Sequence, residues 1–576
     1  MRRLLRILPL LLLLASCNNY RASRGPADWI YVSTTGNDGT GDGSAGAPYL
    51  TIAHAIGQAS AGDTVYVNAG TYTITSQVAV PVGISIMGAG ETSILLAGAA
   101  LEPMFLYESA SENTNGNQSI SYVKIDGDLT ALQAFSIRRR SNVVFDHITM
   151  VDFIYVGIEY YGGATFTTVP TTYASGNKIR YSTISNCCSR RDPGIFGAIR
   201  FGGTIGMEIH DCVLTQTGRS LGTNGNLLYL WGATNKALKF YNNTCTKPTT
   251  DGVISGNVNG WNFHIESGYS YGYEIYNNTF IGGVAIDFAG GIQVKGDYDY
   301  SWYVHNNDFS ITSQITAPAA GTHSPHAMDL ERTNEDVVVT RNSFTNYPTA
   351  INLTLSANTY HYERLYFTYN IFSNVGYSDG GYAYGGFQFV GSETATGDLC
   401  SDVYILNNTF DGNGARGFIM LQQPYNMDNI YIRNNIFQDA VTWGYIIAWN
   451  VVGVSATPTG TLTGFYIDNN IMYNNATSNG IYYREGKTMT IASFLNNQVG
   501  VDPLFRSASD FHLQSTSPAI DAGLDVSATT GGLDFHGASL YGAAYDIGAF
   551  EYGLNRLVKI GTTIPTINYK VVLIDH

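Results

Sequence analysis

The chain has 576 residues, and only 13 % of them are charged, where an ordinary soluble domain carries roughly 25 %. Its 64 glycines and 41 tyrosines, among many asparagines and threonines, fit a turn-dense all-β surface and exclude a helical protein. The net charge of -15 excludes nucleic acid, whose phosphates need a basic footprint, and is compatible with cations and with neutral or metal-bridged sugars.

The chain opens with Arg2, Arg3 and Arg6, an apolar run from Ile7 to Leu14, and then Leu14-Ala15-Ser16-Cys17. This arrangement resembles a bacterial lipobox. The resemblance implies a leader over residues 1–16, cleavage before Cys17 and acylation of its thiol, with 17–27 as a linker. The expected location is the bacterial cell envelope, at the outer membrane or cell surface rather than the cytoplasmic membrane. Nothing later is apolar enough to span a bilayer, so the lipid on Cys17 is the expected membrane contact. A monomer is expected. Cys187, Cys188, Cys212, Cys245 and Cys400 remain, an odd set without zinc-type spacing, and they read as buried thiols.

Residues 28–100 read as a cap and first coils, with a short helix from Thr51 to Ala59. The Gly/Asp-rich loop Gly36 to Gly43 lacks the full spacing of a calcium loop and reads as a plain turn. Residues 101–497 read as right-handed parallel β-helix repeats, and from residue 240 onward a phrase recurs: an alternating strand, an asparagine pair, a small or β-branched residue, then Phe. Examples are Tyr276-Asn277-Asn278-Thr279-Phe280 and Asn407-Asn408-Thr409-Phe410. The second or only Asn falls at 243, 278, 307, 342, 370, 408, 435 and 470, about every 32 residues, which is a solenoid period. Successive coils lie about 4.8 Å apart, so Asn stacks on Asn, tolerating the left-handed backbone of a tight turn, and Phe stacks on Phe inside. Aligning Ile184-Ser185-Asn186-Cys187 and Ile209-His210-Asp211-Cys212 with this phrase puts Cys187 and Cys212 in the Asn column and Cys245 in the Phe column. The spacing predicts roughly twelve coils.

Trp29-Ile30-Tyr31-Val32-Ser33, Ala47-Pro48-Tyr49-Leu50-Thr51-Ile52, Ala61-Gly62-Asp63-Thr64-Val65-Tyr66-Val67 and Gly70-Thr71-Tyr72 together resemble the opening of pectate-lyase-like β-helices. Asp502-Pro503-Leu504-Phe505, Ser517-Pro518-Ala519-Ile520-Asp521-Ala522-Gly523 and Asp546-Ile547-Gly548-Ala549-Phe550-Glu551-Tyr552 are similar to the closing module of bacterial surface β-helix proteins called choice-of-anchor Q. The expected fold is therefore all-β, a single-stranded right-handed parallel β-helix (solenoid) with a short N-terminal capping helix. Residues 498–552 form the closing module. Residues 553–576 are a tail with one potential strand at Tyr569-Lys570-Val571-Val572-Leu573-Ile574. The resemblance implies carbohydrate as ligand and leaves the reaction open, because this fold hosts lyases, hydrolases, epimerases and noncatalytic adhesins.

A second strand column lies upstream of the Asn strands, and its alternation sets Arg138, Glu159, Tyr161, Arg200, Tyr229, Trp231, His264, Glu266, Gln293, Lys295, Asp329, Glu331, Asn352 and Gln388 outward. Tyr229 and Trp231 offer a sugar-stacking platform, with Gln293 and Asn352 as further binding groups. Arg138, Arg139, Arg140 and Arg200 offer guanidinium groups for carboxylates or sulfates. In a lyase, Lys295 is the base beside a uronate, His264 and Glu266 are neighbours in the same centre, and Asp297 and Asp299 are ligands for calcium, which the resemblance implies as cofactor. In an inverting hydrolase, Glu266, Asp329 and Glu331 supply acid and base. A noncatalytic adhesin needs the aromatic platform and none of these acids. Elimination from an acidic polysaccharide leads, hydrolysis follows, and binding alone is the third reading.

Overall fold

The computed structural model describes residues 29–188, 197–216, 226–247, 261–267, 269–288, 292–312, 326–354, 360–376, 385–390, 399–412, 417–422, 426–441, 444–449, 461–476, 480–482, 489–539 and 542–553. Cys17 with its leader and linker, and the tail strand at 569–574, lie outside them.

The chain is a right-handed parallel β-helix. A 14-stranded sheet forms its front, and a 34-stranded sheet wraps the side and back. All pairings between coils are parallel, from Trp29↔Thr64 at the bottom to Ile471↔Gln498 at the top. The 14 front strands exceed the roughly twelve coils that the spacing predicts, because the coils before residue 240 carry no clear Asn phrase. Helix Ile52–Gln58 closes the bottom, with Thr51 as N-cap: its hydroxyl accepts from the His54 amide at 3.2 Å, and Ile52, Ala55 and Ile56 are buried against the first coils. The acidic loop before it is a turn. Asn37 accepts from the Gly39 and Thr40 amides, and Asp38 accepts from the Leu50 and Thr51 amides and the Thr51 hydroxyl.

The asparagine pair divides its labour. The first position turns the corner: Asn242, Asn277, Asn306, Arg341, Tyr369, Asn407, Asn434 and Asn469 all have φ between 53° and 57°. The second position points inward and carries the ladder. From Asn243 to Asn470, each backbone N–H and each side-chain amide donates to the Oδ1 of the Asn one coil above, at 2.8–3.1 Å. The left-handed corner and the ladder thus belong to adjacent residues, where the sequence pattern assigns both to one. Each ladder Asn also donates to a main-chain carbonyl below, as Asn408 does to Phe367 at 2.9 Å, so its polar groups are satisfied inside the core. The ladder runs one rung beyond the recurring phrase, to Asn497. One strand inward, Phe280, Phe309, Phe344, Phe372, Phe410 and Phe437 stack with ring centroids 4.4–5.0 Å apart.

Cys212 starts the ladder, its amide donating to Asn243 Oδ1 at 3.0 Å, and Cys245 lies between Leu214 and Phe280 in the Phe column. Cys187 does not share the Asn column. Thr183 pairs with Val213, so Ser182 occupies that column and Cys187 sits at the following corner. The alignment slips there because Asn186 turns that next corner, with φ 52°, and imitates the Asn of the phrase. All five thiols are buried and free, and burial pushes those of Cys188 and Cys212 up to about 12. They are packing residues.

The last coils are covered by the closing module, which contains the antiparallel pair Phe505–Ser507 and Asp510–Leu513 and the short helix Ser527–Thr530. Corner asparagines seat it. Asn407 donates to the Asp546 carbonyl at 3.0 Å, Asn434 exchanges two bonds with Leu524 at 2.9 Å, and Asn469 donates to Ala522 at 2.9 Å. Beneath, Ile436 and Ile471 pack on Leu513, Ala519 and Ile547, and Ile371 packs on Phe511, Ala549 and Phe550.

Candidate functional site

The front sheet carries most of the predicted site residues, in one register. Glu159 pairs with Arg200, Arg200 with Tyr229, Tyr229 with His264, Asp329 with Asn352 and Asn352 with Gln388. Trp231 pairs with Glu266, and Glu331 with Thr354. The side chains of Trp231, His264 and Glu266 lie outside the described residues. Between His264 and Asp329 the register holds Asp287, on strand Val284–Phe288, and not Gln293. Ile292–Gln293 instead pairs with the short strand Tyr269–Tyr271 in the wrapping sheet, and Gln293 is buried there. Two alternating apolar stretches compete in this coil, and the more apolar one, Val284 to Phe288, takes the front.

Lys295 therefore leaves the predicted column. Its ammonium lies 4.0 Å from Asp336, whose carboxylate is held by Arg364 through bonds of 2.7 and 3.0 Å. Next to this pair, Glu335, His361 and Glu363 bring one ligand atom each within 4.8 Å of one another, and His361 Nε2 is 2.7 Å from Glu335. Arg364 also contacts Glu335 and Glu363, so a guanidinium already neutralises these acids. Asp297 and Asp299 are exposed in the loop after Lys295 and join no such group among the described residues.

Other front residues are already engaged. Tyr229 is 1 % exposed, so it offers no open ring face for a sugar. Glu159 is buried, accepts from Gln133 and Ser136 at 3.0 Å, and is gripped by Arg200, which lies over the Phe166 ring at 4.3 Å. Arg138 bonds Ser136 at 2.9 Å and covers the Tyr161 ring; Arg139 pairs with Glu108 at 3.0 Å. Arg140 is buried and donates to the Val80 carbonyl, Gln118 and Ser109. These guanidinium groups make contacts that hold the fold. Asn352 is buried and donates to Asp329 at 2.8 Å and to Thr354. Asp329 and its neighbour Glu331 stand partly exposed on one front strand.

An open concavity lies on the side face. A groove of about 1090 Å³ runs along the outward residues of the lower coils, lined by Trp29, Tyr31, Thr64, Tyr66, Ser85, Met87, Ser119, Ser121, Val144, Asp146, Lys178 and Arg180 among others. The inward partners of these residues are Ile30, Val32, Val65, Val67, Ile86, Ile120, Phe145 and Ile179, so plain strand alternation builds the wall. One end is aromatic: Trp29 and Tyr66 stack at 4.9 Å and 6°, with Tyr31 edge-on to Tyr66. The middle is hydroxyl-rich. The other end is ionic, with Arg180 to Asp146 at 2.9 Å and Lys178 to Glu208 at 3.0 Å. Above it the same columns continue through His210, Tyr241, Tyr276 and His305, stacked at 4.7–5.1 Å. Burial, with Glu208 close by, pushes the Tyr241 phenol up to about 12, so it stays a neutral donor. The strand alternation that revealed the front column was equally visible in Trp29-Ile30-Tyr31-Val32 and Lys178-Ile179-Arg180.

The family model for DUF1565, a protein of unknown function, matches residues 34–187, the stretch that holds most of this groove. No curated protein matches the chain. Among solved structures, it is similar to the catalytic unit of a thermostable GH87 α-1,3-glucanase from Streptomyces thermodiastaticus strain HF3-3, at 14 % identity and TM-score 0.43, covering 84 % of this chain and 71 % of that one. It is also similar to a tailspike protein mutant of E. coli bacteriophage HK620 in complex with pentasaccharide, at 11 % identity and TM-score 0.43, covering 75 % and 74 %. A third is the N-terminal fragment of gene product 12 of bacteriophage Phi29, at 13 % identity and TM-score 0.43, covering 76 % and 70 %.

Proposed function

We propose that the chain is a polysaccharide-active protein of the bacterial cell envelope, tethered through acylated Cys17, with its glycan lying along the side-face groove. The observation that carries this reading is the groove itself. It is long and open, with rings at one end, hydroxyls between, and two cations at the other. An extended sugar chain needs such a surface: apolar ring faces meet aromatic side chains, and hydroxyls exchange hydrogen bonds. Lys178 and Arg180 are placed to meet a carboxylate, each exchanging one acidic partner for another, which favours an acidic glycan.

Elimination from a uronate polysaccharide leads, with hydrolysis second and binding alone third. For elimination the base must reach the same sugar as the cations. Lys295 lies in the coil of Tyr303, four coils above Lys178 by the pairing register, or ~19 Å along the axis. At that distance it is out of reach of a sugar whose carboxylate Lys178 and Arg180 hold. Hydrolysis would use Asp329 and Glu331 on the front.

The test incubates the mature chain with a panel of uronate and neutral polysaccharides, with and without calcium, following both unsaturated products and new reducing ends. Unsaturated product that disappears in Lys178→Ala/Arg180→Ala supports elimination in the groove. Reducing ends alone, abolished by Asp329→Asn, support hydrolysis. Retention on a glycan without cleavage, weakened by Trp29→Ala, supports the binding reading. No retention and no product with any glycan refutes the proposal. Loss of membrane association in Cys17→Ala checks the anchor.

A further inference from the structure

Three carboxylates are buried in the closing module: Asp534, Asp546 and Glu551 are all at most 4 % exposed. Two of them spend their oxygens on backbone amides. Asp546 accepts from Asp521 at 2.7 Å and Tyr552 at 2.5 Å, and Asp534 accepts from His536 at 3.0 Å and Ala538 at 2.8 Å. Glu551 is different. Its Oε1 meets only the Asp546 amide at a long 3.3 Å, and its Oε2 is buried with no hydrogen-bond partner. Across the interface Tyr369, a corner residue of the coils, buries its hydroxyl beside Thr530 of the module and is sensitive to the charge on Glu551.

We propose that Glu551 is a proton-dependent latch that holds the closing module on the last coils while protonated and loosens it when the proton leaves. The groups facing Glu551 are Asp546, Asp534 and Asp521 from the module, with Tyr545 beside them, and Tyr369 from the coils; His536 stands by Asp534. An ionised Glu551 would thus be a buried charge among acids, beside the Asp546 carbonyl that seats on Asn407.

Burial, and then the charge of Asp546, push the Glu551 carboxyl from an ordinary 4.5 up to about 8. Because the folded value is raised, the stabilisation is complete below the unfolded value near 4.5 and is lost as pH rises through about 8. The neutral form dominates at neutral pH, and the module is expected to be seated there.

The test is amide hydrogen exchange of the full chain across pH, corrected for the intrinsic base-catalysed rate. Exchange in Leu513 to Phe550 is expected to rise by up to about tenfold per pH unit between about 4.5 and 8 and to level off above, while the coils stay protected. Glu551→Gln keeps the proton's shape without its titration, and its module exchange is expected to be flat above about 6, where Asp546 has finished titrating. Asp546→Asn removes a like charge and lets Glu551 ionise at less cost, so the exchange rise levels off at lower pH and its total is smaller. The same rise in Glu551→Gln, or simultaneous loss of the coils, overturns the latch. Should Glu551→Gln fail to fold, a levelling-off pH unmoved in Asp546→Asn overturns it.

Discussion

The inner and outer walls of the same strands follow different rules. Inside, Asn sits on Asn and Phe on Phe for coil after coil, because each position has one neighbour above and one below and must match both. Outside, the sheet surface changes character along the axis, from the Trp29–Tyr66 rings through hydroxyls to the Arg180–Asp146 pair and the stacked tyrosines. The interior is a repeated stability element, and the exterior is a sequence of distinct surfaces. Stability and function are thereby separated to opposite faces of a single strand.

That separation can be broken most severely from inside. Asn408→Ala removes an acceptor used by the Asn370 amide groups and a donor used by the Phe367 carbonyl, leaving buried groups unpaired. We expect a loss of ~3–5 kcal/mol, from several groups at ~1–3 kcal/mol each, measured by denaturant unfolding. Because a solenoid couples only nearest neighbours, hydrogen exchange should show the loss centred on the coils of Asn370 and Asn435. The corresponding corner substitution is milder. Asn434→Ala deletes two bonds to Leu524 and leaves the ladder intact, so we expect ~1–2 kcal/mol, with protease sensitivity confined to the closing module. Outside, Trp29→Ala should leave the unfolding midpoint almost unchanged yet weaken glycan retention about tenfold on an affinity gel, equivalent to ~1.4 kcal/mol. If Trp29→Ala destabilises as much as Asn408→Ala, the two walls are not independent.

The same contrast explains what was legible in the sequence. The β-helix, the Phe column and the ladder from Asn243 to Asn470 can be read because an interior column must repeat in order to stack. The corner role of the first Asn was hidden by its partner: both residues of the pair are asparagines, while only Arg341 and Tyr369 break the pattern and show that this position tolerates other side chains. The outward column failed at one coil, where Ile292 to Lys295 and Val284 to Phe288 both alternate, and Lys295 was lost from the front as a result. Burial at the surface was not legible at all. Nothing in the local pattern distinguishes Tyr229, which is covered, from Tyr66, which lines an open groove, because covering comes from residues distant in the chain.

The seat of the closing module has a consequence for length. The module reads three successive corner asparagines, Asn407, Asn434 and Asn469, and the cap reads only the first coils. Coils between these two ends are spacers. Insertion or deletion of one whole coil near Asn307 would preserve every inward column and both termini, and would only change how far the groove stands from the lid. Loss of a coil between Asn407 and Asn469 would break the address on which the lid sits. Such a protein can be lengthened like a telescope from the middle, while its two ends stay fixed.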